Sequence, residues 1–290
     1  MCGGLGNQLF QYSAGKNLAL MTGRTLHIDT MTGFWTDFRD SWRFSLNKKK
    51  LKNVNVKAIV LTFIFYRFLK KIFKFKKLFV NFFGCIVVDE TTINFYNDTI
   101  KQIDTSKNIY LIGYFQSEKY FLENKKKIIK DIIPKTPISK KFISMKKIMA
   151  NKNSVSLGIR LHETMPDKIR YKVGGETELL FYKKSIDKIL KKIKKPEFFL
   201  FSTKTKYIHN IIEKFPLLMK HKLHFITPEN GFENAYDNIW LMSYCKNHII
   251  SNSTLYWWGV YFSQLNYKKQ IICCANNFHN KDTCKYDWEN

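Results

Sequence analysis

At 290 residues the chain can bury a sizeable core, as one large or two ordinary domains. With 45% hydrophobic residues it is globular in composition, which excludes a disordered polymer. Lys and Arg number 49 against 23 acidic residues, a net charge of +26 that suits nucleic acid, an anionic membrane face or a negatively charged nucleotide-sugar, and equally a solvated lysine surface.

Met1 to Leu20 opens the chain with a glycine turn. Gly3, Gly4 and Gly6 permit left-handed torsions and close backbone approach, Asn7 is a good cap, and Leu9, Phe10, Ala14, Leu18 and Met21 recur at helical spacing. The turn is neither GxGxxG nor a P-loop, since no Lys-Ser/Thr follows Gly6. Thr25 to Asp29 reads as a strand, the start of a parallel α/β unit. Only Met1 and Cys2 precede Gly3, so a strand leading into the turn is expected to be missing or upstream.

From Ile64 to Phe79 a helical wheel gathers Arg67, Lys70, Lys71, Lys74 and Lys77 in one arc. Phe65, Phe68, Leu69, Ile72, Phe75 and Phe79 fall opposite, which predicts a basic amphipathic helix within an insertion near residues 56–83. Cys85 to Val88 and Ile109 to Gly113 read as strands, and Lys125 to Ile132 as a helix stopped by Pro134 and Pro137. Phe142 to Ala150 reads as a crossing helix and Asn151 to Asn153 as a linker, giving domains 1–150 and 151–290.

The second half repeats the alternation. Ser154 to Arg160 is a strand, Leu179 to Lys192 a helix, Phe198 to Ser202 a strand ending in serine, Tyr207 to Phe215 a helix and Leu223 to Ile226 a strand. Helix Ala235 to Cys245 and strand His248 to Ile250 lead into Ser251, Asn252, Ser253 and Thr254, after which Leu255 to Leu265 is apolar almost throughout. Strands alternating with helices predict parallel sheets. A helix start at the C-terminal edge of such a sheet is an anion site, because backbone N–H groups, the helix dipole and small hydroxyls converge there. The alternative is simple capping by Ser253 or Thr254, with Trp257 and Trp258 as core.

Six cysteines without C-x-x-C spacing give neither a zinc site nor a disulfide framework, so reduced, cytoplasmic thiols are expected. There is no Asp-x-Asp, and the close pair His221 and His224 has no acidic neighbour in sequence, so no metal is expected. No signal peptide and no bilayer-length apolar run are evident, and the expectation is a soluble or peripheral protein.

Taken together, GGLGNQLFQYSAG, GYFQSEKYF, WLMSYCK and SNSTLYWWG resemble glycosyltransferase family 11, the α-1,2-fucosyltransferases of bacterial O-antigen and other surface glycans. The resemblance spans most of the chain except about residues 45–100. It implies an α/β, GT-B-like fold of two Rossmann-like domains facing each other across a cleft, the first on the acceptor side and the second binding the GDP-sugar. It implies inverting transfer of fucose from GDP-fucose to the 2-OH of a galactose, no cofactor, and an acceptor that can be lipid-linked at the inner membrane face. On the donor side it selects Gly4, Gly6, Asn7, Gln8, Arg160, Ser202, Ser251, Asn252, Ser253 and Thr254, and on the acceptor side Tyr114 and Gln116. Where the family carries a His-x-Arg-Arg-x-Asp-like motif this chain has Gly158, Arg160, Leu161 and Glu163. Arg160 would grip the diphosphate, and His162 and Glu163 are candidates for the catalytic base, with Arg160 and Asn7 beside them and Asp29 as an alternative acid. The competing readings are a non-catalytic basic protein that binds nucleic acid or a membrane surface, and an inactive relative of the family.

Overall fold

The structure is a computed structural model describing residues 1–34, 46, 51, 54–57, 60–73, 79–82, 84–92, 95–104, 106–150, 153–160, 177–284 and 288. Two compact units emerge, one of Met1–Ile133 with Asn280–Thr283 and one of Pro134–His279 with Cys284–Asn290.

In the first unit, helix α1 (Leu5–Thr22) follows the glycine turn and runs into strand β1 (Leu26–Asp29), which pairs in parallel with β2 (Val54–Lys57). Helix α2 (Val60–Phe73) precedes β3 (Phe79–Phe82), which pairs antiparallel with β4 (Cys85–Asp89), and β4 lies parallel to β5 (Asn108–Ile112). The basic helix predicted over 64–79 therefore begins and ends earlier, and Phe79 opens a strand. The 3.6-residue pattern persists past Phe73, but β3 has its own ladder on β4 from Phe79 to Phe82. Neither β2 nor β3 is evident in the sequence pattern.

Helix α3 (Lys125–Ile132) ends the first unit, and α4 (Lys140–Met149) already belongs to the second, so the division falls at Ile133/Pro134 instead of 150/151. Packing explains the difference. The ring of Phe142 meets that of Phe232 edge-on at 5.1 Å, Lys146 Nζ sits 4.2 Å from the Tyr244 ring, and Met149 is fully buried. The expected linker residues 151 and 152 lie outside the described residues.

The second unit is a five-stranded, all-parallel sheet in the order β10 (Ile272–Cys274), β9 (Asn247–Ile250), β6 (Ser154–Gly158), β7 (Glu197–Phe201), β8 (Lys222–Ile226). Strands covered on both faces read as near-continuous apolar runs, and β6, β7 and β9 do so. Val155, Leu157, Phe198 and Leu200 point to one face and pack on α5 (Leu179–Lys192) and α6 (Thr205–Lys214) through Ile186, Ile189, Ile208 and Ile211. The opposite face takes α8 (Thr254–Asn266), which follows α7 (Ala235–Met242) and β9. Helix α8 is apolar nearly all round and accordingly buried, with Trp257 and Trp258 at zero exposure. These tryptophans are core.

One polar chain crosses that interface. Ser156 Oγ lies 2.6 Å from His248 Nδ1, and Ser263 Oγ lies 2.8 Å from His248 Nε2. Complete burial pushes the His248 pKa down to about 3, so the imidazole is neutral and both ring nitrogens are satisfied.

Candidate functional site

In the second unit the predicted donor residues cluster at the C-terminal ends of parallel strands, where open α/β sheets present ligand contacts. Arg160 stands two residues past β6 and donates from Nη1 to Asn252 O at 3.1 Å, which fixes the guanidinium beside the turn leading into α8. Asn252 is 4% exposed and locked in turn: its N–H meets Thr177 Oγ1 at 3.3 Å and its side-chain amide meets Asn277 O at 3.3 Å. Ser253 is the residue at the N-cap of α8, but its hydroxyl makes no capping bond. Capping therefore does not account for the SNST serine. Ser253 N instead donates to Ser251 O at 2.6 Å, and Ser251 N to Gly158 O at 3.3 Å.

Two hydroxyls here lack a satisfying bond. Among the described residues Ser202 Oγ, just past β7, is buried without a hydrogen-bond partner, and Ser251 Oγ is buried beside the Tyr182 hydroxyl. Buried polar groups are nearly always satisfied, so such hydroxyls mark a place to look for a ligand.

Gly158 has a specific reason to lack a side chain: a Cβ there would lie 2.5 Å from the Tyr256 ring. Tyr256 Oη in turn reaches Ile159 O and Phe201 O, each at 3.0 Å, and so ties the ends of β6 and β7 together from the first turn of α8. Tyr256 is a site-building residue missed in the sequence, where it reads as one more apolar position in LYWWG.

The first unit gathers its predicted residues into a second cluster. Among the three turn glycines only Gly3 adopts a positive φ, while Gly4 is the N-cap of α1 in an extended conformation and Gly6 is inside the helix. Asn7 is likewise within α1 and not a cap. Its side-chain oxygen accepts from Gln116 Nε2 at 2.9 Å, and Tyr114 lies against the same turn at Gly3. Gln8 is completely buried and donates to Gly3 O at 2.8 Å, which makes it a brace for the turn.

Beneath Tyr114 and Gln116 lies Glu90, which no sequence motif signals. Its Oε2 accepts the backbone N–H of Tyr114 at 3.2 Å and of Phe115 at 3.3 Å, and its Oε1 accepts from Asn280 Nδ2 at 3.0 Å. The backbone around it is bent to fit: Gly113 has φ +142, where a Cβ would meet Glu90 at 2.7 Å, and Phe115 takes φ +52 despite its side chain. Thr283 Oγ1 adds a 2.5 Å bond to Gln116 O. Burial raises the Glu90 pKa to about 7, outweighing the three bonds that favour the charged form.

His162, Glu163 and Leu161 lie outside the described residues. Asp29, the alternative acid, accepts from Met31 N at 2.9 Å and Thr32 N at 3.0 Å; burial pushes its carboxyl up, but these bonds and the Thr32 hydroxyl hold it below the ordinary value. That is a turn-capping carboxylate and a weak base. His224, without an acidic neighbour in sequence, gains one in space, Glu197 across the sheet at 3.4 Å, and stacks on Phe199 at 4.5 Å. Among the described residues no three His, Cys, Asp or Glu side chains are grouped to hold a metal ion.

Parallel α/β units whose polar turns sit at strand ends and helix starts place ligand contacts where open sheets and helix N-termini receive anions. The chain belongs to glycosyl transferase family 11, whose profile matches residues 3–289. An Escherichia coli alpha-1,2-colitosyltransferase is 29% identical over 301 residues, covering 99% of this chain and 96% of that protein. The Escherichia coli O-antigen biosynthesis glycosyltransferase WbnK is 26% identical, covering 91% and 89%. Among solved structures, the fucosyltransferase NodZ from Bradyrhizobium superposes with a TM-score of 0.50 at 15% identity over 89% of each chain, a likeness of fold. The expected family and the α/β, GT-B-like fold are thus found, and the chain is a family 11 glycosyltransferase.

Proposed function

We propose that the protein transfers fucose from GDP-fucose to the 2-OH of a galactose in a surface glycan such as O-antigen, with inversion at the anomeric carbon. The acceptor oxygen forms a bond to C1 of the sugar as the bond from C1 to the β-phosphate oxygen breaks. GDP leaves with that electron pair, and the hydroxyl proton passes to a base. The observation that carries the donor side is Arg160, pinned by its 3.1 Å bond to Asn252 O beside the start of α8. A guanidinium and the positive end of a helix suit a diphosphate and the charge it gains on leaving. Ser202, Ser251, Ser253 and Thr254 complete that donor side; in the first unit Gly4, Gly6 and Asn7 form the proposed sugar-facing turn, which Gln8 braces from within, and Tyr114 and Gln116 contact the acceptor. His162 or Glu163 is the proposed base, and neither metal nor cofactor takes part.

A second reading comes from the alpha-1,2-colitosyltransferase relative: the same α-1,2 linkage made with colitose, which lacks the 3-hydroxyl of fucose. Titration of the purified protein with GDP-fucose, GDP-colitose, GDP-mannose and UDP-galactose, with and without EDTA, tests both. The proposal expects tightest binding of GDP-fucose, indifferent to EDTA. Preference for GDP-colitose selects the second reading, and equal affinity for UDP-galactose or strict metal dependence refutes the donor site.

A further inference from the structure

Helix α2 is amphipathic in an unexpected sense: its polar side faces the protein. Tyr66, 2% exposed, donates to Asp89 Oδ2 at 2.8 Å, and Lys70 Nζ reaches the same carboxylate at 2.5 Å and Thr91 Oγ1 at 2.9 Å. Asp89 ends β4, so these bonds dock the helix on the first unit through polar groups. The apolar residues point outward. Ile64, Phe65, Phe68 and Ile72 are 48%, 44%, 57% and 54% exposed. At about 100° per residue they fall within an arc of about 100° on the wheel, with Arg67 and Lys71, both exposed, along one edge of that arc.

A packed globular helix turns such an arc inward. Outward-facing Phe and Ile edged by cations is the pattern of a helix that lies in a lipid interface, with rings among the upper acyl chains and cations at the headgroups. We propose that α2 docks the protein on an anionic phospholipid surface, with Ile64, Phe65, Phe68 and Ile72 entering the interface and Arg67 and Lys71 contacting lipid phosphates. Charge decides between occupants of this face. A second copy would bring +26 against +26, whereas an anionic bilayer attracts the whole molecule. The docking is peripheral, since no described helix is long and apolar enough to cross a membrane.

The test is flotation of the purified protein with vesicles of phosphatidylcholine alone or containing one third phosphatidylglycerol, at low and high salt. Wild type is expected to float only with the anionic vesicles, less so in high salt. Phe68→Ser with Ile72→Ser is expected to lower the partition coefficient on the order of tenfold, because part of each side chain no longer leaves water. Binding that the double variant leaves unchanged would mean that dispersed lysines alone carry the attraction, and would overturn the proposal. So would equal flotation with both vesicle types, or no flotation with either. Light scattering on the same samples covers the other occupant: a wild-type dimer that the double variant turns into a monomer makes the face a self-association surface and also overturns it. Should the double variant fail to fold by circular dichroism, Lys71→Glu at its exposed position is expected to weaken anionic-vesicle binding several-fold, and unchanged binding there counts against the proposal equally. None of these readouts depends on sugar transfer.

Discussion

The two units solve the problem of presenting polar groups in opposite ways. In the first, Asn7, Gln8, Gln116, Glu90, Asn280 and Thr283 bond to one another or to adjacent backbone, and the turn at 113–116 is held from below by a buried carboxylate. In the second, the strand ends carry a buried Ser202 hydroxyl with no partner among the described residues and an α8 start that Ser253 leaves uncapped. A closed network fixes shape before any ligand arrives, which suits recognition of a hydroxyl at a set position. Groups left wanting are stabilised by what binds, which suits an anion that must be held and released.

Breaking the closed network gives the largest expected effect. Glu90→Ala strips the acceptor from two backbone N–H groups and from Asn280, each costing about 1–3 kcal/mol when left buried, so about 3 kcal/mol or more should be lost in urea unfolding. Glu90→Gln keeps an acceptor and isolates the charge. Because the folded pKa, about 7, lies above the ordinary 4.5, the carboxyl's contribution is complete below pH 4.5 and is lost as pH rises to 7. Wild-type stability relative to Glu90→Gln should therefore fall by up to about 1.4 kcal/mol per pH unit across that window. A difference that stays flat between pH 4.5 and 7 would show that Glu90 is ionised throughout.

Removing the guanidinium attacks the other side of the comparison. Arg160→Ala should weaken GDP binding by about 1.5–3 kcal/mol, the range for charged hydrogen bonds, as read by calorimetry. Urea unfolding of the same variant separates a loss of donor contact from a loss of folding, because Arg160 also bonds Asn252 O beside the turn. A variant that binds GDP as wild type does would move the donor diphosphate elsewhere.

How much of this the sequence discloses follows the same division. The second unit is legible to within about three residues per element apart from its edge strand β10, which the sequence reading lacks, because strands buried on both faces are apolar runs and helices such as Leu179–Lys192 keep a clean period. Arg160 and the SNST stretch are legible for a related reason: they are short and contiguous, and resemble a known family. Glu90 is not, since its bond to Asn280 spans 190 positions and the Thr283 bond to Gln116 spans 167, and no local pattern encodes such pairs. Helix α2 is legible as amphipathic but not in its orientation, because the polar anchor that turns one face inward, Asp89 beneath Tyr66 and Lys70, lies 23 and 19 positions away from them in sequence. Likewise Gly158 looks like a loss from the family motif until Tyr256 is seen filling the space.

That last pair sharpens the comparison inside the second unit. Gly158→Ala forces a Cβ to within 2.5 Å of the Tyr256 ring, and overpacking of this kind costs about 1–3 kcal/mol. Tyr256→Leu should recover part of that loss in the double variant while giving up the bonds to Ile159 O and Phe201 O, so the two changes should couple and not add. Simple additivity in thermal unfolding would mean that the ring does not set the choice of glycine.

The smallest effect is the most discriminating, because its sign differs between stability and binding. Ser202 Oγ is buried with no partner among the described residues, so the folded protein carries the cost of its desolvation with no bond from them in return. Ser202→Ala removes that cost and leaves only a small void. The ligand-free protein should be unchanged or more stable, by up to about 1 kcal/mol. If the hydroxyl bonds the donor, GDP-fucose affinity should fall by about 1 kcal/mol in the same variant. Thermal shift without and with the nucleotide-sugar reads both signs in one experiment: the melting temperature rises or holds in its absence, and the gain on adding it shrinks. An undiminished gain would remove Ser202 from the donor site, and destabilisation of the ligand-free protein would mean that its hydroxyl already has a partner.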